Sequence, residues 1–476
     1  MNNRHKGSAA VVMGMALVCA APAPVQTAEG ALEEVVVTAR KRDESFRDVP
    51  MTVSVFTDQA IQSAGIQKPA DFIALIPNMT LVETQNAGNA FVVVRGISQA
   101  RNSEPSVAVL VDGVLETNPA QFNQELFDIA QIEVLKGPQG ALYGRNAIGG
   151  AILIRTREPA DEFEGNLKLG YGNGSAKRAQ LAASGPMGGS DTLKYRASVS
   201  YYDTDGYLDN QFLNEKADPS RDYSGRLRLL WKPSDTFTGD LRLAAGRLET
   251  RALYFVIPRD NEANPFSTFT TPPNANDVTT PITLNNPGEN NRDLFTGALK
   301  LDFQTSGGVV TAISAYNQTK EVLTGDAYDF RPRPNSIFQA LFGTDLNQSQ
   351  FLDVSAYSQE VRYASAPTDA FSWIAGAYFV HTDRFISTGN MVDTGAGVSA
   401  VYRSPRLSGT NPSATFLADS QDNNALAKTD SFPAGSFRFH RRGAQEHMER
   451  DAAQGNAALQ TRGERDDFRQ LEPGLP

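Results

Sequence analysis

Residues 193–202, Leu-Lys-Tyr-Arg-Ala-Ser-Val-Ser-Tyr-Tyr, decide the fold of this chain. Successive side chains of a β-strand point to opposite faces, so residues that alternate in polarity are sorted onto different faces. One face of this strand carries Leu193, Tyr195, Ala197, Val199 and Tyr201. The other face carries Lys194, Arg196, Ser198, Ser200 and Tyr202. The first face suits lipid and the second suits water, which is typical of a strand in a membrane-spanning β-barrel.

The same alternation continues along the chain from about Phe163. It predicts further strands around 167–171, 177–184, 226–231, 241–244, 299–303, 309–316, 359–363 and 371–380. Short turns at 185–191, 232–236, 304–308 and 365–370 alternate with long polar loops at 203–222, 249–292, 321–350 and from 381 onward. Short turns at one end and long loops at the other are typical of the periplasmic and extracellular ends of an outer-membrane barrel.

Aromatic residues near the predicted strand ends fit this architecture. The interfacial girdles of such a barrel would include Tyr171, Tyr201, Trp231, Phe237, Tyr316, Phe371 and Trp373. Core packing explains any single one of them equally well. A soluble β-sandwich also has alternating strands, but its connections would not sort by length in this way.

Composition excludes two other classes of protein. The 476 residues carry a formal net charge of −10, which argues against nucleic acid as a partner because a phosphate-binding face needs basic residues. The sequence has no apolar run of about 18 residues or more, which a protein that crosses a membrane on helices would need.

The first 28 residues have the pattern of a secretory signal peptide. Arg4 and Lys6 precede a nearly unbroken apolar stretch at 9–23, and small residues up to Ala28 suit cleavage. A transmembrane anchor is the alternative, but the stretch is too short to span a bilayer. Cys19 is the single cysteine, and the bulky Val18 before it argues against a lipoprotein signal. We therefore expect a mature chain without disulfides or thiolate metal sites.

Residues 48–160 predict a compact mixed domain. Short β-rich runs at 52–56, 91–94, 107–111 and 132–135 indicate strands. Continuous apolar runs among them indicate strands that are covered on both faces. Helices are predicted at 58–63 and 70–76, the second ended by Pro77 because proline lacks a backbone donor.

Several motifs resemble those of TonB-dependent outer-membrane receptors. Residues 33–39, Glu-Glu-Val-Val-Val-Thr-Ala, resemble the TonB box of that family. Residues 94–96, Val-Arg-Gly, 111–113, Val-Asp-Gly, and 132–152, which begin Ile-Glu-Val-Leu-Lys-Gly-Pro-Gln-Gly-Ala-Leu-Tyr-Gly-Arg, resemble motifs of its plug domain. The resemblance covers roughly 32–379, and motifs in this order are specific. It implies the TonB-box residues Glu34, Val35, Val36, Val37, Thr38 and Ala39. It implies the plug-motif residues Arg95, Gly96, Asp112, Gly113, Lys136, Gly137, Pro138, Gly140, Tyr143, Gly144, Arg145, Gly149 and Gly150.

The resemblance also implies a fold and a domain order. The expected fold class is a β-rich membrane protein with an N-terminal α+β plug domain and then an incomplete antiparallel transmembrane β-barrel. The expected domains are a signal peptide at 1–28, a TonB box and linker at 29–47, a plug at 48–160, a partial barrel at 161–430 and a disordered tail at 431–476.

Location and partners follow from the same resemblance. Members of the family lie in the lipid of the outer membrane, couple to the TonB protein of the inner membrane and take up scarce ligands. A ferric siderophore is the default cargo, and cobalamin, oligosaccharides or aromatic oligomers are the alternatives. No nucleic acid is expected among the partners.

Two of the motifs can be interpreted from their residues. Val35, Val36 and Val37 favour extended backbone, and with unpaired amides and carbonyls they could add as an edge strand to a partner sheet. An ordinary first strand of the plug is the alternative. The run 137–150 lacks the Gly-Lys-Ser/Thr ending of a phosphate-binding loop, so it is interpreted as tight turns that pack the plug.

Basic residues of the plug predict an ion pair with the barrel wall. Arg95, Lys136 and Arg145 would lie in a polar lumen, where an unpaired charge is costly. Glu360 is the candidate partner, because alternation places it toward the lumen if Val361 faces lipid. Such pairs would hold the plug until force is applied. An ordinary hydrated charge is the alternative.

We expect no enzyme activity, no cofactor and no resident metal. The four histidines, His5, His381, His440 and His447, lack the spacing of paired metal ligands, and the sequence has no nucleophile-elbow or zinc-protease motif. A passive porin or a surface-binding barrel protein is the alternative function, although a porin has no use for a plug or a TonB box. A soluble secreted β-protein is a third class.

The carboxyl-terminal part departs from the family pattern. A plugged transporter barrel needs about 22 strands, and about ten can be identified here. The alternation disappears from about Ser431, and the rest is rich in charge. We therefore expect a truncated or frame-shifted form of a longer receptor that does not itself transport.

Overall fold

The structure is a computed structural model that describes the chain in several ranges. These are 35–38, 41–42, 44–48, 52–83, 90–99, 104–251, 282, 284–326, 345–366, 372–393 and 414–429. The expected signal peptide and tail lie outside the described residues, as do Glu34 and Ala39 of the expected TonB box and Phe371 of the expected girdle.

The amino-terminal part is a mixed α+β domain, as predicted. Its elements are β1 (Val36–Val37), β2 (Glu44–Ser45), β3 (Val53–Thr57), α1 (Asp58–Ser63), α2 (Pro69–Ile73), β4 (Met79–Glu83), β5 (Ala90–Val94), β6 (Val107–Val111), β7 (Val114–Leu115), β8 (Ile129–Lys136), α3 (Gly140–Tyr143) and β9 (Gly150–Thr156). A five-stranded sheet in the order β3-β8-β9-β6-β7 forms its centre, and only the β6–β9 pair is parallel among its neighbours. Strands β1 and β2, and β4 and β5, form separate antiparallel pairs.

Apolar side chains cover both faces of the central sheet. On one face, Phe72 and Ile73 of α2 pack with Ile132 and Ile152. On the other face, Val37 of β1 packs with a second cluster that also holds Leu110, Leu115, Leu135, Tyr143, Ala147, Ala151 and Leu153. Residues 107–110 of β6 are buried on both faces, which is why their run is apolar throughout.

The second predicted helix is shorter than its sequence pattern. α2 ends at Ile73, whereas the prediction extends to 76. The last turn instead has hydrogen bonds from Leu75 N to Phe72 O and from Ile76 N to Ile73 O, which span three residues as in a 3-10 turn. Pro77 disfavours the α conformation of the residue before it and explains the change. No helix among the described residues has the length and apolar character that a membrane crossing requires.

The strands after this domain form one long antiparallel sheet. They are β10 (Glu164–Gly172), β11 (Ala176–Pro186), β12 (Leu193–Thr204), β13 (Asp209–Asn210), β14 (Glu215–Lys216), β15 (Ser220–Ser234), β16 (Phe237–Thr250), β17 (Glu289–Thr305), β18 (Gly308–Asp326), β19 (Asp345–Ser365), β20 (Ile374–Asp393) and β21 (Ala414–Thr429). Strands β13 and β14 pair only with each other, and the other ten pair in chain order. In the described ranges β10 and β21 are the edges of this ten-stranded sheet, so it is an open barrel wall.

The alternation along β12 has the predicted effect. Arg196, Ser198 and Ser200 are buried against the interior, while Val199 is 53% exposed on the outer face. The mixed domain lies against the inner face, where Val114 of the hairpin β6–β7 packs with Ala298, Ile313 and Ala315 of the wall. The predicted fold class is therefore confirmed: a plug domain is followed by an incomplete antiparallel barrel.

Candidate functional site at the amino-terminal segment and the plug–barrel interface

The described residues 35–38, called here the amino-terminal segment, are docked on the plug. Val36 and Val37 pair with Ser45 and Glu44, and Phe46 N donates a hydrogen bond of 2.8 Å to Val35 O. The side chain of Val37 is fully buried, whereas Val36 is 41% exposed. The expectation of unpaired amides and carbonyls is therefore wrong for this structure, because β2 provides a neighbouring strand.

Side chains of the plug also bind the backbone of the amino-terminal segment. Thr38 N donates to both carboxylate oxygens of Glu133, at 2.9 and 3.0 Å, and the Thr38 hydroxyl donates to Oε1 at 2.9 Å. Gln131 Nε2 donates to Val36 O at 2.9 Å, and the Tyr143 hydroxyl donates to Thr38 O at 3.3 Å. Burial, together with the nearby Glu133, raises the pKa of Tyr143, which keeps this phenol a donor.

An ion pair joins the residues after this segment to the barrel wall. Lys41 Nζ lies 2.9 Å from each carboxylate oxygen of Glu360, and Arg362 Nη1 lies 2.6 Å from Glu360 Oε1. Glu360 is buried and Val361 is 45% exposed, in agreement with the orientation that alternation predicts.

The predicted plug partners of Glu360 lie elsewhere. Arg145 Nη2 donates to Thr382 Oγ1 of β20 at 3.0 Å, and its Nη1 lies 3.6 Å from Glu104 Oε1. Arg95 lies at a turn beside Gly137, and Lys136 ends β8. The prediction of a Glu360 pair with one of these three cations is corrected to a pair with Lys41, since the chain before the plug reaches this part of the wall.

Two of the plug motifs form tight turns with left-handed backbone. Arg95 and Gly96 have φ values of 51° and 81°, and Asp112 and Gly113 have values of 51° and 86°. Positive φ at both central residues is the property of the two-residue hairpin turn that matches strand twist. The second of these turns joins β6 to β7 and aims Val114 at the wall.

The glycine-rich motif at 137–150 packs against its neighbours through turns. Gly137 N donates to Gly149 O at 2.9 Å and Gly149 N donates to Ser106 O at 2.9 Å, while Gly144 ends α3 with a φ of 75°. Gly140 begins α3 and Pro138 stands between the strand and the helix. A Cβ on Gly150 would lie 2.2 Å from Leu135 O, so only glycine fits there.

Asp112 connects the plug to a charged cluster on the wall. Its carboxylate accepts hydrogen bonds from Thr156 N at 2.8 Å and Thr156 Oγ1 at 2.6 Å, and its carbonyl accepts one from Arg242. Burial alone would raise the pKa of Asp112, but the Arg242 and Arg228 guanidiniums and the Thr156 hydrogen bonds lower it overall.

Sequence reasoning missed several further contacts between plug and wall. Arg196 binds Asp128 at 2.6 and 2.7 Å, Arg178 lies 2.9 Å from Glu125, and Asn317 donates to Leu115 O at 2.9 Å. The lumen-facing position of Arg196 was readable from alternation, but its partner was not. These contacts hold the plug by polar groups that water could replace.

A small cavity separates the plug from the wall beside these contacts. Its volume is about 120 Å³, and its lining includes Asp112, Glu116, Arg226 and Arg242. Burial raises the pKa of Glu116 to about 8, although the Arg226 guanidinium acts in the other direction. Burial also raises the pKa of Glu125 despite the nearby Lys68 and Arg178. Among the described residues, no group of His, Cys, Asp and Glu side chains has an arrangement that could hold a metal ion.

Comparison with known proteins gives a family for the plug. Residues 45–151 match the family described as TonB-dependent Receptor Plug Domain. The pesticin receptor of Yersinia pestis is 30% identical over 247 residues, which cover 50% of this chain and 35% of that protein. The vitamin B12 transporter BtuB of Vibrio vulnificus is 30% identical over 216 residues, which cover 44% of this chain and 32% of that protein. The chain thus spans about a third of the length of these curated relatives.

Solved structures share the fold at lower identity. The ferric yersiniabactin uptake receptor FyuA from Yersinia pestis superimposes with a TM-score of 0.57 and 18% identity, covering 79% of this chain and 61% of that chain. This likeness concerns the fold, and it includes both the plug and the barrel wall.

Proposed function

Because this chain belongs to the TonB-dependent receptors of the outer membrane, we propose that it is an incomplete form, itself unable to transport, of a receptor for the active uptake of a scarce ligand, with energy supplied by the TonB protein of the inner membrane. The relatives that it matches are receptors and transporters and not enzymes.

A ferric siderophore is the proposed cargo. FyuA takes up ferric yersiniabactin, and BtuB transports vitamin B12. Both cargoes are metal complexes that arrive with their own ligands. A receptor for such a complex binds the chelator and needs no metal ligands of its own.

The docked amino-terminal segment is the observation that carries this proposal. Its strand β1 is only two residues long, and it is held at the start of the plug by one neighbouring strand and a few side chains. A short strand of this kind can be transferred to the sheet of a partner, because main-chain hydrogen bonds to β2 are exchanged for equivalent ones. A passive porin would have no need of such a segment or of a plug bonded inside its wall.

Uptake by cells tests this proposal. Cells that lack their own receptors would produce the full-length receptor that contains this chain, with native Val35–Val37, with three alanines or with three prolines, and receive radioiron on hydroxamate, catecholate or phenolate siderophores. Alanine keeps the backbone donors and proline removes them. We expect uptake of at least one siderophore by the native and alanine forms and loss of uptake in the proline form. Equal uptake in all three forms would refute coupling through this segment.

A further inference from the structure

We propose that Glu133 is a positioning residue that sets how often the amino-terminal segment leaves the plug. The inference rests on the proposed TonB-dependent function, because it concerns the availability of the same segment. It goes beyond that function by naming the side chain that controls release.

The carboxylate of Glu133 is built into the plug. The residue is fully buried in β8, and its side chain lies on the same face as Leu135 of the second apolar cluster, opposite Ile132 and Val134. Its two oxygens share the backbone N–H of Thr38, and Oε1 also accepts a hydrogen bond from the Thr38 hydroxyl. Hydrogen bonds to an ionised acceptor are about twice as strong as neutral ones.

Thr38 stands where the support from β2 ends. The last residue pair between β1 and β2 is Val37 with Glu44, so Thr38 is the first residue after that pairing. Because Phe46 N bonds Val35 O and hydrogen-bonded pairs alternate along the strands, the amide of Thr38 points away from β2, and Glu133 binds it on the opposite edge of β1. Gln131, two positions earlier on β8 and hence on the same face, donates to Val36 O. Together the two side chains replace a second neighbouring strand for the segment.

Glu133 and Val37 have different roles in docking. Burial of Val37 holds the segment by an apolar contact that is lost only when the side chain leaves the cluster. The hydrogen bonds to Glu133 depend on distance and angle and fail after a small displacement of Thr38. Release therefore begins at Thr38, and loss of the Glu133 charge should shift the ratio of docked to undocked segment by roughly 10- to 100-fold.

Spin labelling of the segment tests this assignment. A nitroxide on Val36→Cys, in a background with Cys19→Ser, would report the mobile fraction of the segment in outer-membrane vesicles. We compare the reference with Glu133→Gln, which keeps size and removes charge, and with Thr38→Val, which removes only the hydroxyl. Glu83→Gln changes an exposed carboxylate on β4 and is the matched control.

We expect the largest mobile fraction in Glu133→Gln and a smaller one in Thr38→Val. The reference and the control should share the smallest mobile fraction. In the double variant, Thr38→Val should add less to the mobile fraction than it does on its own, because both changes act on one contact. If Glu133→Gln makes the plug sensitive to protease, that variant no longer reports on docking alone. The mobile fraction in Thr38→Val then tests the assignment, because Thr38 lies outside the central sheet. An unchanged mobile fraction in Thr38→Val and in any folded Glu133→Gln would refute the assignment.

A second readout separates this inference from the proposed function. The same vesicles would be titrated with the periplasmic domain of TonB. Higher mobility of the segment in Glu133→Gln together with tighter TonB binding supports both the role of Glu133 and the proposed coupling to TonB. Higher mobility without any TonB binding keeps the role of Glu133 and refutes the proposed coupling.

Discussion

Lys41 and Glu360 connect two parts of the chain that are 319 positions apart. Their side chains are 17% and 9% exposed, so neither charge is fully hydrated. Arg362 shares the same carboxylate, which makes Glu360 the centre of a group of two cations and one anion. Removal of the anion leaves two cations facing each other in a confined space, and this is more costly than the loss of one surface ion pair.

Glu360→Gln should therefore loosen the chain before the plug. We expect the docked state to lose about 1.5–3 kcal/mol, the range for a hydrogen bond to a charged group. Limited proteolysis after Lys41 in outer-membrane vesicles measures the change. Asp353→Asn, on the same strand but the outer face, removes a carboxylate that pairs with Lys320 and serves as control. Equal cleavage of both variants and the native protein would contradict the prediction.

Glu116 gives a prediction about pH. Its folded-state pKa of about 8 exceeds the ordinary value of 4.5, so the folded plug binds a proton that the unfolded chain has already released between these values. The contribution of Glu116 to the free energy of unfolding should therefore be fully present below pH 4.5. It should fall by about 1.4 kcal/mol per pH unit from there up to about pH 8. Glu116→Gln should lack this slope. Urea unfolding of the detergent-folded chain at several pH values measures it, and the same slope in both proteins would contradict the assignment.

Alternation predicts the orientation of single residues well and their partners poorly. It places Glu360 and Arg196 toward the interior, because the two-residue period depends only on local backbone geometry. It does not give Lys41 as the partner of Glu360 or Asp128 as the partner of Arg196. Those pairs depend on how the plug is seated in the wall, which no local pattern records.

The elements of the plug depend on glycines at defined positions. β9 begins at Gly150, whose φ of 154° lets it approach the carbonyl of Leu135 on β8. Both strands lie at the centre of the five-stranded sheet. The sequence indicated tight turns in this region, and the Asp112-Gly113 dipeptide between two apolar runs is a strong hairpin signal. The early end of α2 was harder to predict, because a proline affects the residues before it over an uncertain distance.

Gly150→Ala should weaken the pairing of β8 with β9. Backbone strain alone costs about 1–3 kcal/mol, and the new Cβ would also have to displace the Leu135 carbonyl. Gly140→Ala is the matched control, because no atom lies within 4 Å of its added Cβ and alanine favours a helix. Hydrogen exchange of the β8 and β9 amides should be faster in the first variant and unchanged in the second. Similar exchange in both would contradict the prediction.

The whole molecule is organised by the membrane on one side and the plug on the other. Aromatic rings on the outer face form two groups. One group, Trp231, Phe237 and Phe303, lies near the short turns, with ring centroids 5.5 and 4.9 Å apart. The other includes Tyr201 and Tyr223, 5.3 Å apart, near the long loops. Tyr223 and Trp231 lie on the same strand, about 26 Å apart at the usual rise per residue, which matches the apolar band of such barrels.

The barrel wall was the part that the sequence predicted best. Nine of the ten wall strands, with their alternation, follow from local signals that repeat along the chain. The loop predicted from 381 onward is wrong, because β20 continues to Asp393 and β21 (Ala414–Thr429) lies within that stretch. Docking of the amino-terminal segment on the plug was only the alternative interpretation, because no local signal indicates Glu133, which binds Thr38 from 95 positions away.

The two tryptophans of the sequence provide a test of how the wall sits in the membrane. Trp231 and Trp373 are 48% and 36% exposed, and both lie beside short turns on the outer face. Amphipathic indole rings prefer the boundary between headgroups and acyl chains. In liposomes of brominated lipids, we therefore expect fluorescence to be quenched more by bromine near the glycerol than by bromine near the chain end. Trp231→Phe and Trp373→Phe each leave one reporter and should show the same order. Stronger quenching from the chain end, or none from either lipid, would place these residues outside the interface.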